Sequence, residues 1–235
     1  MNTSIQAVSF SGLLWAFVPS FIVMVILYRW TVDGGTAVYA VIRMLIQLLL
    51  IGYVLTYIFE AQQAGVIVFV LMVMLGAASW IALRPLQNKQ PYLYRNALGA
   101  IMIGGVSTLA LVSQLVLEVQ PWFFPRYVVP LAGMIFASCM NTVSLAAERF
   151  EAEYGKACSY VEARNAALHS SLIPVINSLF AVGLVSLPGM MTGQILSGVS
   201  PLVATKYQIM VMCMIFGSSG ISASLYLTFA KARTS

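Results

Sequence analysis

Long apolar runs alternate with short polar stretches along the chain. A helix needs about 20 mostly apolar residues to cross the roughly 30 Å hydrocarbon core of a membrane. Seven runs meet that length, at 10–29, 37–59, 64–83, 97–117, 125–147, 170–191 and 203–229. The pattern therefore predicts an all-α, polytopic integral membrane protein with about seven transmembrane helices.

The sixth run contains a helix-breaking pair, Pro188 and Gly189, within the stretch VSLPGMMTGQIL at 185–196. Proline removes a backbone donor and disfavours helix at the preceding residue, while glycine permits a sharp change of direction. Backbone groups freed at membrane depth must be satisfied by neighbouring protein or by a water-filled cavity. We therefore predict that the sixth helix is interrupted at this pair and that a substrate passes beside it.

Composition and charge support the membrane location and suggest an orientation. Hydrophobic residues make up 60% of the chain and charged residues only 8%, which excludes an ordinary soluble domain. Because cytoplasmic loops accumulate Lys and Arg, we predict an outside N-terminus and an inside C-terminus. This orientation leaves Arg126 and Lys206 outside, and the other ten of the 12 basic residues lie inside: Arg29, Arg43, Arg84, Lys89, Arg95, Arg149, Lys156, Arg164, Lys231 and Arg233. The net charge of +5 then reflects topology and not nucleic-acid binding.

Polar and sulfur-bearing side chains inside the spans are candidates for the substrate route, since such groups are expensive in lipid. The candidate residues are Gln47, Asn177, Pro188, Gly189, Met190, Met191, Thr192, Gln194 and Gln208. Amides can equally hold helices together, and methionine is a common filler of apolar space. The thioethers of Met190 and Met191 are soft metal ligands, so these two residues are also a candidate metal site.

A polar connection at 148–169 joins the fifth and sixth runs. Its apolar members Phe150, Tyr154, Ala157 and Val161 recur at spacings of four, three and four, which is typical of a narrow amphipathic helix. Such a stripe either folds back on the helix bundle or couples the protein to a cytosolic partner. In the second case Glu162 and Arg164 would carry the coupling, and this remains one of two open alternatives.

Nucleotide-binding and catalytic motifs are missing from the sequence. It contains no G-x-x-x-x-G-K-[ST] phosphate loop, and no nucleophile accompanies its single histidine in a recognisable pattern. The three cysteines show no C-x-x-C spacing that would indicate zinc. We therefore expect neither an enzyme nor a cofactor in this chain.

The run from 172 to 210, LIPVINSLFAVGLVSLPGMMTGQILSGVSPLVATKYQIM, resembles a signature of the FetB (YbbM) permease family, UPF0014. Shorter pieces resemble the family too, and these are Arg43, Gln47, Leu48, the stretch GYVLTYIFE at 52–60, Pro130, Gly133 and Met134. The resemblance implies the membrane subunit of an ABC transporter, paired with a separate cytosolic ATPase of the FetA type that would bind ATP and Mg. It also implies a homodimer of the membrane subunit, so that the working complex holds two copies of each.

The transported species is less narrowly implied by the resemblance. Bacterial members imply export of iron or of another metal across the inner (plasma) membrane. Plant members imply aluminium tolerance and, together with an ATPase, movement of UDP-glucose.

These inferences combine into one predicted architecture. Residues 1–235 would form a single permease domain, with helices two, five, six and the start of seven lining the route and with 148–169 facing the ATPase. The alternatives are an ATPase-independent metal-ion transporter or channel, and a membrane scaffold subunit. Carboxylates able to couple protons would favour the autonomous transporter, and the sequence places none well inside a span.

Overall fold

The computed structural model describes residues 9–30, 34–60, 63–86, 90–155 and 159–231. The helices are α1 Phe10–Trp30, α2 Gly34–Glu60, α3 Ala64–Ala82, α4 Pro91–Ile101, α5 Ser107–Leu111, α6 Pro125–Tyr154, α7 Tyr160–Ala181, α8 Gly189–Leu196 and α9 Pro201–Lys231. The chain divides into two compact units, 1–60 and 61–235. That both units form one permease domain stays a prediction.

The prediction of an all-α membrane protein is confirmed. Within the described residues there is no strand, only an isolated bridge between Val182 and Ser186. Six helices in this part of the chain are long and apolar enough to cross a membrane: Ser11–Trp30, Gly35–Glu60, Ala64–Ala82, Pro91–Val116, Pro125–Tyr154 and Pro201–Lys231. The predicted sixth span, 170–191, is not among them, because α7 begins at Tyr160 with a polar turn and ends at Ala181. The orientation stays a prediction, and three of its basic residues, Lys89, Lys156 and Arg233, lie outside the described residues.

The first unit consists of α1 and α2, which pack on each other. Gln47 lies on α2, and its side chain is exposed, while Arg43 one turn earlier is half-buried. Near the end of α2 the rings of Tyr53 and Tyr57 lie 5.5 Å apart, centroid to centroid. This i, i+4 pair stabilises the last turns of the helix.

The second unit is built around α6, which packs against α3, α7 and α9. Its apolar face carries the fully buried side chains Ala132, Ile135, Cys139 and Val143. Helix α9 packs in turn on α4 and α7. The core of this unit therefore lies where α6 and α9 meet.

Two glycines, Gly104 and Gly105, let the helix that carries them approach both α6 and α9 closely. One continuous helix runs from Pro91 to Val116, with π-helical turns at Met102–Val106 and Val112–Val116. A Cβ atom on Gly104 would lie 2.9 Å from the backbone nitrogen of Ser222 on α9 and would also collide with that serine's hydroxyl. A Cβ atom on Gly105 would lie 3.0 Å from a ring carbon of Phe136 on α6. The π-turn thus brings bare backbone into the angle between α6 and α9.

The predicted interruption of the sixth helix is confirmed, and it begins earlier than Pro188. Helix α7 ends at Ala181, whose carbonyl accepts backbone hydrogen bonds from Val185 at 2.8 Å and Ser186 at 3.1 Å. Gly183 adopts a φ of +83°, the left-handed conformation that ends many helices. Pro188 is the N-cap of α8, so the break spans 182–188.

The polar connection at 148–169 consists of the ends of two helices and not of one amphipathic helix. Helix α6 continues to Tyr154 and α7 starts at Tyr160. The predicted stripe is therefore divided: Phe150 is buried on α6, whereas Val161 is exposed on α7. Ala157, its third member, lies outside the described residues.

Candidate transport pathway

A cavity of about 500 Å³ with several polar residues in its lining lies between α6, α7, α9 and the break that precedes α8. We call it the amide cavity, after Gln208 and Asn141. Its polar lining residues are Ser138, Asn141, Thr142, Ser171, Ser178, Ser186 and Gln208, and its apolar ones include Met134, Met190, Met212, Val211 and Ile215. This volume falls in the range of small-molecule sites.

Helical periodicity explains how so many separate positions reach this cavity. On α6 the lining residues Met134, Ser138, Asn141 and Leu145 follow one another at spacings of four, three and four. Residues with these spacings share one face of a helix. Helix α7 contributes in the same way through Ser171, Val175 and Ser178, and α9 through Gln208, Met212 and Ile215.

A second cavity, of about 580 Å³, lies next to the first. We call it the arginine cavity, because Arg126 is the one charged residue in its lining. The other lining residues are Leu117, Tyr127, Pro130, Leu131, Met134, Met190, Gln194, Val199, Val203, Tyr207 and Met210. Met134 and Met190 line both cavities, so the thioether side chains of α6 and α8 stand at the junction.

The two cavities together extend along α6 for about the thickness of a membrane core. Arg126 lines the arginine cavity and Leu145 lines the amide cavity. Nineteen residues of helix between them correspond to about 28 Å, close to the roughly 30 Å of the hydrocarbon region. The cavity-lining face of α6 is therefore long enough to accompany a solute across the bilayer.

Hydroxyl groups along this face are satisfied by nearby protein. Ser138 Oγ and Ser219 Oγ lie 2.7 Å apart and link α6 to α9. Thr142 Oγ1 donates to the carbonyl of Ser138 at 3.0 Å, and Ser178 Oγ to that of Pro174 at 2.9 Å. Such bonds to the helix's own backbone leave the oxygen free to accept from a solute.

The two glutamines are different, because their carbonyl oxygens find no donor. Gln208 is only 6% exposed, and its Oε1 has no hydrogen-bond partner in the described structure. The same holds for Oε1 of Gln194 in the arginine cavity. A buried polar atom without a partner costs about 1–3 kcal/mol. These amides are therefore the groups of the route that gain most from a bound solute.

The charge of the route is unusual for a cation site. Neither lining set contains Asp, Glu, His or Cys. Among the described residues no cluster of three or more such side chains could hold a metal ion. Arg126 is therefore the only lining residue with a formal charge.

The predicted site residues are distributed unevenly over this geometry. The structure brings Pro188, Gly189, Met190 and Gln208 to the amide cavity, and Met190 and Gln194 to the arginine cavity. Neither set of lining residues includes Met191 or Thr192, and the hydroxyl of Thr192 donates to the carbonyl of Pro188 at 3.1 Å. Asn177 is exposed, and its neighbour Ser178 lines the cavity instead. Gln47 belongs to the other unit.

Whether Met190 and Met191 form a metal site together stays a prediction, although only Met190 lines a cavity. The other lining thioethers are Met134, Met210 and Met212. They approach the route from α6 and α9 rather than from α8.

Sequence reasoning missed the polar residues of α6, namely Ser138, Asn141 and Thr142. They were readable as three polar positions at helical spacing within the otherwise apolar run 125–147. Together they make α6 the main polar wall of the amide cavity.

The predicted coupling residues have roles within α7 itself. Ser159 and Glu162 form a reciprocal capping box, in which a carboxylate oxygen of Glu162 accepts from the Ser159 backbone N–H at 3.0 Å and from its hydroxyl at 2.8 Å. These hydrogen bonds lower the pKa of Glu162. Arg164 donates to Asn165 Oδ1 at 2.9 Å and lies 5.8 Å from the ring centroid of Tyr160. Glu162 thus stabilises the start of α7, and Arg164 remains the cleaner candidate for coupling.

The helices and the polar route define the chain as a polytopic, all-helical integral membrane protein. The chain belongs to the family described as Uncharacterised protein family (UPF0014), whose model matches residues 10–234. The resemblance found in the sequence is thereby confirmed.

Several relatives share about a third of their residues with this chain. The UPF0014 membrane protein slr1647 of Synechocystis is 34% identical over 205 residues, which cover 80% of this chain and 78% of the relative. The probable iron export permease protein FetB of Escherichia coli is 34% identical over 210 residues, 80% of this chain and 78% of FetB. Protein ALUMINUM SENSITIVE 3 of Arabidopsis thaliana is 34% identical over 210 residues, 82% of this chain and 76% of that protein. No solved structure matches the chain.

Proposed function

We propose that this chain is the membrane-spanning permease subunit of an ATP-driven ABC transporter that exports iron or another metal. The observation that carries the proposal is the pair of adjoining cavities along α6, joined at Met134 and Met190. Similarity to a protein named as a probable iron export permease supports metal export as the activity.

The energy source is proposed to be a separate cytosolic ATPase of the FetA type, with two copies of each subunit in the complex. The sequence itself has no phosphate loop, so ATP and Mg would bind to the partner. The ends of α6, α7 and α9 that meet at Tyr160 supply a docking surface. There the hydroxyl of Tyr160 donates to the carbonyl of Leu227 at 2.9 Å, and the charged groups of Arg164 and Lys231 each lie 5.8 Å from the ring centroid.

The proposed cycle uses the break before α8. Closure of the ATPase dimer would tilt the ends of α6, α7 and α9 that meet at Tyr160. Helix α8 is flanked by Gly183 and Gly198, both with positive φ, and these turns would let it swing with Met190 at its first turn. Movement of Met190 away from Met134 would then connect the amide cavity with the arginine cavity, which the predicted orientation places outside.

The test is transport by the reconstituted complex. The chain and its ATPase would be placed together in liposomes, and ATP-dependent movement of iron, other divalent metals and aluminium would be measured. ATP-dependent movement of one metal is expected. Movement without any ATPase would instead favour an autonomous transporter or channel, and no movement under any condition would favour a scaffold subunit.

A matched pair of variants tests the route. Met190→Trp should reduce transport at least tenfold, because the larger side chain would block the junction of the two cavities. Met191→Trp, which changes a residue outside both lining sets, should leave transport near the starting rate. Equal rates for the two variants would show that the substrate does not pass Met190.

A further inference from the structure

We infer that the metal crosses as its complex with a hydroxylated organic anion, and not as a bare cation. The inference rests on the proposed function and deepens it, since it concerns the chemical form of the cargo. It follows from the charge, the hydrogen-bonding groups, the sulfur atoms and the size of the two cavities.

Charge is the first argument. Removing a bare dication from water is very unfavourable unless anionic ligands replace its hydration shell. The lining residues offer no carboxylate, imidazole or thiol, and Arg126 would repel a cation. Two further charged residues are sequence neighbours of the lining: Glu118 follows Leu117, and Lys206 precedes Tyr207. Neither of them lines the cavity itself.

Arg126 is in addition available to an anion. In the described part of the chain no carboxylate oxygen lies within 4.0 Å of its guanidinium. A guanidinium pairs with carboxylate or phosphate through two parallel hydrogen bonds. The arginine cavity is therefore suited to a cargo that carries carboxylate or phosphate oxygens.

The glutamines identify a second property of the cargo. Oε1 of Gln208 and of Gln194 are buried acceptors without a donor, one in each cavity. A hydroxyl group on the cargo would supply that donor, and the hydroxyls of Ser138, Thr142 and Ser178 would provide further partners around it. An anion that also carries hydroxyl groups satisfies both cavities in turn.

The methionines at the junction allow such a complex to stay intact. Thioethers are soft ligands, whereas carboxylate and phosphate oxygens suit hard cations. Met134 and Met190 would therefore not remove a hard metal from its chelator. The cavity volumes of about 500 and 580 Å³ are in the range of organic ligands and far exceed a single ion.

The experiment uses liposomes that contain the chain and its ATPase, with ferric citrate labelled separately in iron and in carbon. We expect both labels to cross with ATP in a constant ratio. A parallel arm replaces citrate by glucose 6-phosphate, which distinguishes a carboxylate from a phosphate as the anionic group. Iron that crosses without the labelled anion in both arms overturns this inference and leaves the proposed function standing. Failure of iron, of the other divalent metals and of aluminium to cross in any form, with or without anion transport, overturns both.

Two variants and one control variant make the result independent of the choice of anion. Gln208→Glu adds a negative charge to the amide cavity with little change in shape, and it should slow transport of the anionic complex at least tenfold. If a bare cation crossed, the same change would hold or raise the rate, and that result would overturn the inference. Arg126→Gln should also slow transport about tenfold, while Lys206→Gln, a cation outside the lining sets, should leave it unchanged. Size-exclusion profiles and the ATPase rate would verify that each variant is folded and assembled.

Discussion

The two halves of α9 have opposite surroundings. In the half nearer its C-terminus, Ser218, Ser219 and Ser222 are fully buried, and Ser222 faces the bare backbone of Gly104. In the half nearer its N-terminus, Gln208 and Met212 border the amide cavity. One helix therefore seals a dry contact along one part of its length and lines the amide cavity along another.

The difference lies in where each polar group finds its partner. Ser218 Oγ donates to the carbonyl of Ile215 at 3.3 Å, and Ser219 Oγ pairs with Ser138 Oγ. These two short hydroxyls pack tightly, since the backbone of α9 satisfies Ser218 and a hydroxyl of α6 satisfies Ser219. The longer amide of Gln208 carries an acceptor that finds no donor. In this protein a buried amide, more than a buried hydroxyl, indicates a solute site.

The largest expected effect comes from filling the dry contact. Gly104→Leu places a side chain against the Ser222 backbone nitrogen, which lies 2.9 Å from a Cβ on residue 104. Backbone cannot yield as a flexible side chain would, so we expect a loss of about 3 kcal/mol or more of folding stability. Thermal unfolding and the fraction of monodisperse protein in detergent would measure it.

Gly220→Ala is the control for that change, because it lies in the same small-residue stretch of α9. A Cβ on Gly220 meets nothing within 4 Å, so alanine should raise stability by about 0.5–1 kcal/mol through its better helix propensity. Equal tolerance of the two substitutions would contradict a close approach at Gly104.

The second prediction concerns the cavity half of α9. Gln208→Leu removes a buried acceptor without a partner, so stability should rise by about 1 kcal/mol. Metal transport should fall about tenfold, which corresponds to about 1.4 kcal/mol. Thermal unfolding and liposome transport are the two measurements. A fall in both would indicate that Gln208 is a structural residue of the bundle.

The third prediction concerns the serine pair that joins α6 to α9. Ser138 and Ser219, joined at 2.7 Å, should show a coupling of about 0.6 kcal/mol in a double-alanine cycle, as typical membrane hydrogen bonds do. Thr228, whose hydroxyl donates to the carbonyl of Ser224 at 2.7 Å, should show no coupling to Ser138 in a matched cycle. Coupling of similar size in both cycles would mean that it does not arise from the serine pair.

The smallest effect is expected at Ser222, whose Oγ is buried without a hydrogen-bond partner. Ser222→Ala should be nearly neutral, because alanine replaces a hydroxyl that has no hydrogen-bond partner. Thermal unfolding would again be the measurement. A clear loss of stability would show that the hydroxyl has a partner, and the contrast with Gln208 would weaken.

Much of the fold could be predicted because membrane spans are defined by length and hydrophobicity. The predicted run 125–147 lies within α6, and 203–229 lies within α9. The end of the helix within the sixth run was harder to predict, since hydropathy does not depend on the direction of the backbone. This helix ends at Ala181 because Gly183 adopts the left-handed conformation, and this glycine was a readable stop signal. Pro188 drew attention to the break but caps the helix that follows it.

The site was less predictable, because spacing fixes relative positions on a helix but not the face that points inward. Asn177 was predicted and Ser178 lines the cavity instead, a difference of one residue and about 100° of rotation. Met191 was predicted with Met190 for the same reason. Asn141 and Thr142 could have been found only by treating α6 as a wall of the route, which depends on its packing against α7 and α9.

The positive φ angles of Gly183 and Gly198 determine which mutations these two positions tolerate. Gly183 and Gly198 have φ values of +83° and +91°, and a Cβ on either would meet nothing within 4 Å. Space is therefore no obstacle there, yet each L-residue would be strained by about 1–2 kcal/mol in that conformation. In a saturation mutagenesis scan both positions should behave like core residues although they lie in the open. A scan interpreted through accessibility alone would miss the turns that follow α7 and α8.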